Sequence, residues 1–136
     1  MTYICRHFSI KELVPPETIA YLGEEKSWWL FQPEALLCID LLRDDLGPCT
    51  INNWARGGDF KYSGFRPANC TVGSQYSMHR LGMAFDMKFN GATADRAREH
   101  IRQNRERFAW IRGMETGVSW CHIDGRNYDG LLEFKP

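Results

Sequence analysis

Residues 77–89 read SMHRLGMAFDMKF, and the second half of this stretch alternates. Met83, Phe85, Met87 and Phe89 fall on one side of an extended chain, with Ala84, Asp86 and Lys88 on the other, the pattern of a strand with one face in a core. The Asp86 carboxylate then stands on the face away from the core, beside a small Ala84 that leaves room above it. His79 enters from the preceding loop. Gly82 lets that loop turn tightly, so the seven-residue separation of His79 and Asp86 closes into one site.

A second stretch, VSWCHIDG at 118–125, repeats the logic. Trp120, His122 and Asp124 share one face of an extended chain, and Cys121 and Ile123 share the other. His122 is thus placed to join His79 and Asp86. Two imidazoles and one carboxylate are the ligand set of a catalytic zinc, with the fourth tetrahedral position left for water. Such chemistry needs a group to accept and return a proton, and Glu115 is the nearest unclaimed carboxylate. A nearby cation would dock a substrate carboxylate or an oxyanion, and Arg66, in YSGFRP, is the choice.

The rest of the chain indicates an α+β domain with a central antiparallel sheet and flanking helices, one unit over residues 1–136. QPEALLCIDLLRDDLG (32–47) is helical, with Pro33 in its first turn and a broad apolar stripe. TADRAREHIRQNRERF (93–108) is a helix capped by Thr93, with Ala97, Ile101 and Phe108 inward and a solvated charged face. Ser9 and Glu12 form a capping pattern over a short helix that Pro15 and Pro16 stop. Between CTINNW and the first stretch runs a long irregular loop rich in glycine, of a length that is usually either functional or disordered. Trp54 and Tyr62 flank the part of it that carries Arg66 and are expected to line a substrate groove, with Trp120 as another wall. Trp28, Trp29 and Phe31, together in KSWWLFQ, are expected to serve core or interface packing rather than as a sugar-stacking platform, and His7 and His100 fit no site, with His7 near a mobile terminus.

Composition excludes several classes. Seventeen basic and seventeen acidic residues cancel, so nothing draws the whole molecule to nucleic acid or an anionic membrane. The N-terminus, MTYICRHFSIKELVPP, lacks the apolar run of a secretory signal, and no stretch is long enough to span a bilayer, so cytoplasmic synthesis without membrane insertion is expected. Five cysteines at wide, irregular spacing read as reduced and mostly buried thiols.

Together these residues resemble the zinc peptidases of the D-alanyl-D-alanine carboxypeptidase and L-alanyl-D-glutamate endopeptidase family, which share the Hedgehog-type fold. SMHRLGMAFD matches the family's Ser-x-His-x-x-Gly-x-Ala-x-Asp pattern at every fixed position, SGFRP at 63–67 resembles its Ser-Gly-aromatic-Arg segment, and WCHID at 120–124 its Trp-x-His strand. The resemblance implies one zinc per chain held by His79, Asp86 and His122, Arg66 as a substrate or transition-state contact, and Ser77 as a supporting residue at the substrate side. It further implies a monomeric enzyme acting on peptidoglycan peptides, similar to small stand-alone bacteriophage lysis proteins that reach the wall after release. One departure stands out: many members carry the catalytic carboxylate three residues before the last histidine, where this chain has Ser119. Glu115 resembles the glutamate that other branches place further upstream, with Asp124 as the fallback base or else an orienting group for His122 or Arg66. That departure keeps open a non-catalytic zinc-containing binding module of the same fold; a virion or tail component that uses the domain to open the wall is a further alternative.

Overall fold

The computed structural model describes all 136 residues. Helices α1 (Pro16–Ser27, broken at Gly23) and α2 (Pro33–Leu46) precede strands β1 (Cys49–Thr50) and β2 (Ala84–Phe89). Helix α3 (Ala94–Gln103) then leads to β3 (Gly113–Glu115), β4 (Cys121–Asp124) and β5 (Leu132–Phe134). The architecture is α+β, with one five-stranded sheet in the order β1-β2-β4-β3-β5.

The sheet is mixed rather than wholly antiparallel. β1, β2, β4 and β3 pair antiparallel, but β5 runs parallel to β3. The reason lies in the connection. The chain leaves β4 at Asp124, beside Gly113, and β5 begins at Leu132, which also pairs with Gly113. Returning at the same end of the sheet makes β5 antiparallel to β4, and on the nearby edge, beyond β3, that direction is parallel to β3.

The core forms on the predicted face. Phe85, Met87, Cys121, Ile123 and Met114 are fully buried from the strands, and Ala35, Leu36, Ile39 and Leu42 from α2. Phe31 stacks on Phe85 with ring centroids 5.7 Å apart, so Trp28 and Phe31 do serve packing, whereas Trp29 is exposed. Thr93 caps α3 by accepting from the Arg96 amide, and Ala97, Ile101 and Phe108 point inward, although the helix ends at Gln103.

Three expectations need correction. The proline pair does more than end the short turn at Ile10–Glu12: Pro16 opens α1, because a residue without an N–H is tolerated in a first turn. The N-terminal segment is pinned rather than mobile. The buried Asp40 carboxylate accepts from Tyr3 Oη at 2.9 Å and from the amides of Arg6 and His7, while Asp44 takes the Arg6 guanidinium and His7 Nε2. Arg98 is not on a solvated face, being 2% exposed. All five cysteines are free thiols, four of them buried, and no helix is long and apolar enough to cross a membrane.

Candidate metal centre

The register of the central strands builds the site. Across β2, β4 and β3, Asp86 lies opposite His122 and His122 opposite Glu115, so these three form one row on the face away from the core. The next row is Ala84, Asp124 and Gly113. Two small residues therefore flank Asp124. A side chain at 113 would overlap the Asp124 carboxylate and the Arg126 guanidinium, so glycine is required there by close approach.

His79 arrives from the turn Met78–Leu81. Ser77 caps this turn, its Oγ accepting from the His79 amide at 3.2 Å, and Gly82 ends it in the left-handed region at φ 68°, pressed against the Leu30 carbonyl. The Ser63–Arg66 segment is stitched to Asp86 and His79 by its backbone. Asp86 N donates to Ser63 O at 2.7 Å, Arg66 N donates to His79 O at 3.1 Å, and Phe65 N reaches Leu13 O at 2.8 Å.

The donor atoms of His79, Asp86 and His122 all lie within 4.8 Å of one another, so this trio could hold a metal ion. His79 Nδ1 donates to the Gly64 carbonyl at 2.8 Å, which leaves the Nε2 lone pair facing Asp86 Oδ1 at 3.3 Å. His122 Nδ1 lies 2.9 Å from the same Asp86 oxygen, and its Nε2 bonds Asp124 Oδ2 at 2.8 Å. Both histidines thus have one nitrogen engaged outside the cluster and the other aimed into it, the arrangement that orients metal-binding imidazoles.

Electrostatics follow from that packing. Burial holds the His79 pKa below its usual value. Burial also acts to lower that of His122, but hydrogen bonds to Asp124 and Asp86 outweigh it and push the pKa up to about 9. Burial works against ionisation of Asp86 as well, yet bonds to His122 and His79 hold its pKa well below the carboxylate range. Asp124, fully buried, is likewise held low against desolvation by Arg126 and His122. Arg126 grips it through Nε at 2.8 Å and Nη2 at 2.7 Å. With both oxygens committed, Asp124 orients His122 and has no lone pair to spare for proton transfer.

An open cleft of about 510 Å³ lies over the trio. Arg66, Ser77, Glu115 and Trp120 line it with the three candidate ligands, as do Arg126 and Phe134. Arg66 is anchored by Nε to the Tyr62 carbonyl at 2.8 Å and by Nη2 to Asp86 at 3.5 Å, while its Nη1 makes no hydrogen bond within the protein. Trp54 and Tyr62 do not line the cleft. Trp54 Nε1 donates to the Val14 carbonyl, and Tyr62 contributes only its backbone oxygen to Arg66. His7 and His100 lie elsewhere, paired with Asp44 and Asp45 of α2.

Two further residues, Arg126 and Arg98, hold the site together. Arg126 was legible as a cation two residues beyond Asp124. Arg98 had no such signal, because its partners are the main-chain carbonyls of Glu115, Val118 and Trp120, the loop that separates β3 from β4. Comparison with protein-family models, with curated proteins and with solved structures finds no match to this chain.

Proposed function

We propose that the protein is a zinc metallopeptidase of the Hedgehog/DD-peptidase type that hydrolyses peptide bonds in peptidoglycan stem peptides or crosslinks. The observation that carries this reading is the convergence of His79, Asp86 and His122 at the floor of a cleft whose wall holds Glu115 and Arg66. The resemblance of SMHRLGMAFD, SGFRP and WCHID to the family supports it. Nitrogen, nitrogen and carboxylate oxygen donors fit zinc, which takes four-coordinate sites and in catalytic centres keeps one position open.

Bound there, zinc supplies Lewis acidity toward a scissile carbonyl and favours deprotonation of water. The chain supplies the rest. Glu115, in the row with Asp86 and His122, takes the proton of the attacking water and returns it to the leaving nitrogen. Arg66 offers Nη1 to a carboxylate or to the carbonyl oxygen as negative charge develops. Asp124 and Arg126 keep the His122 ring fixed, and Ser77 fixes the turn that presents His79. Trp120 forms an apolar wall for the substrate. By the same resemblance, wall lysis by a bacteriophage or prophage is the setting.

The test combines elemental analysis with release of new amino groups from purified peptidoglycan. The wild type should carry one zinc and release amino groups, and His122→Ala should lose both. Glu115→Gln should keep zinc and lose hydrolysis. Zinc-loaded wild type that leaves the wall uncut would refute the peptidase and favour the binding module.

A further inference from the structure

A second hollow of about 370 Å³ adjoins the cleft, lined by Phe60, Ser63, Asp86, Lys88, Ser119 and Trp120. Asp86 and Trp120 line both, so a ligand lying across them reaches from one into the other. Lys88 follows Asp86 by two residues on the same face of β2, about 6.6 Å further along the strand.

The Lys88 side chain is held in place. Its Nζ donates to Ser63 Oγ at 2.8 Å and sits 4.0 Å over the centre of the Phe60 ring. Ser63 is itself buried and fixed, its amide donating to Asn52 Oδ1 at 2.9 Å. Lys88 has no carboxylate partner, because Asp86, the acid on its strand, is engaged by Arg66, His79 and His122. An ammonium has three N–H donors, and one is used. A half-buried cation, positioned on an aromatic ring with donors unspent, is built to receive an anion from outside the chain.

We propose that Lys88, with Ser63 and Phe60, forms a subsite for a carboxylate carried by the peptide substrate, set apart from the Arg66 side of the cleft. An extended peptide advances about 3.3–3.6 Å per residue, so the carboxylate belongs to a residue one or two positions from the one lying over Asp86. This rests on the reading of the adjoining cleft as a peptidase site. It assigns the substrate as an acidic peptide and makes Lys88 a specificity residue rather than a catalytic one.

Synthetic stem pentapeptides that differ only in whether an internal carboxylate is free or a carboxamide provide the probe, each internal carboxylate being tested in turn. Their binding is measured calorimetrically on zinc-loaded Glu115→Gln, with Lys88 intact, with Lys88→Gln and with Phe60→Ala. With Lys88 intact, one free acid should bind about tenfold tighter than its carboxamide, as expected for charge-assisted hydrogen bonds. Lys88→Gln should erase that preference, and Phe60→Ala, a change at an exposed ring, should weaken it. Equal binding of every pair, no binding of any peptide, or a preference that survives Lys88→Gln would overturn the subsite. The parent reading fails separately: a wall left uncut by wild type, with the acid preference intact, removes the peptidase and keeps the subsite.

Discussion

Replacing Arg98 of α3 with methionine should destabilise the protein through the loop that this side chain holds. The guanidinium donates to the carbonyls of Trp120 at 3.1 Å, Val118 at 3.2 Å and Glu115 at 3.4 Å, and to Asp95 at 2.6 Å. The Asp95 side chain is 92% exposed, so that pair contributes little. Each carbonyl that loses its donor costs about 1–3 kcal/mol if it stays dry, less where the half-buried loop lets water in. The sum is about 3 kcal/mol. At an unfolding entropy of about 2.1 cal/mol/K per residue, that lowers Tm by about 10 °C for a chain of this length. Methionine keeps the apolar stem, so the loss reports the hydrogen bonds and not a cavity. Arg98→Lys, with one compact ammonium, should fall between. Because the loop carries Glu115 at one end and Trp120 at the other, wall hydrolysis should fall further than Tm alone explains. Calorimetric melting of both variants, with hydrolysis measured well below Tm, tests this. A methionine variant that melts within about 1 °C of wild type would show that Arg98 does not organise the loop.

Asp124→Asn should weaken zinc binding about 10–100-fold, read by competition with a chromogenic chelator, since it removes the carboxylate that orients His122 and unpairs Arg126. Gly113→Ala should likewise displace the Asp124 carboxylate and lower both Tm and zinc affinity, whereas an unaltered protein would mean that the strand shifts freely to accommodate a methyl group. The metal-free protein should show a defined pH dependence. The His122 pKa rises from about 6.5 unfolded to about 9 folded, so its contribution to stability is complete below about pH 6.5 and is lost as pH passes 9. Asp86 and Asp124 are depressed, so theirs is present above about pH 4 and is lost on acidification, which places the Tm maximum of chelated protein between those limits. On the proposed reading zinc uptake would expel the His122 proton, and its apparent affinity should climb with pH up to about 9.

The grouping of His79, Asp86 and His122 was legible because strand periodicity is local. Alternation in MAFDMKF and VSWCHIDG places Asp86 and His122 away from the core whatever the partner strands are, and Gly82 marks the turn that presents His79. The caps at Thr93 and the ends of α2 follow from the same short-range chemistry. Helix α1 was hidden because two prolines read equally well as a stop and as a start. Strand register was beyond reach of the sequence. Only the pairing of Glu115 with His122, and of Gly113 with Asp124, decides which carboxylate faces the cleft and which is spent on Arg126. The direction of β5, the burial of Arg98 and the withdrawal of Trp54 and Tyr62 from the cleft are likewise tertiary facts. Each depends on main-chain groups or strands far away along the chain. A local pattern fixes which way a side chain points from its own strand, and only the folded sheet determines what it meets there.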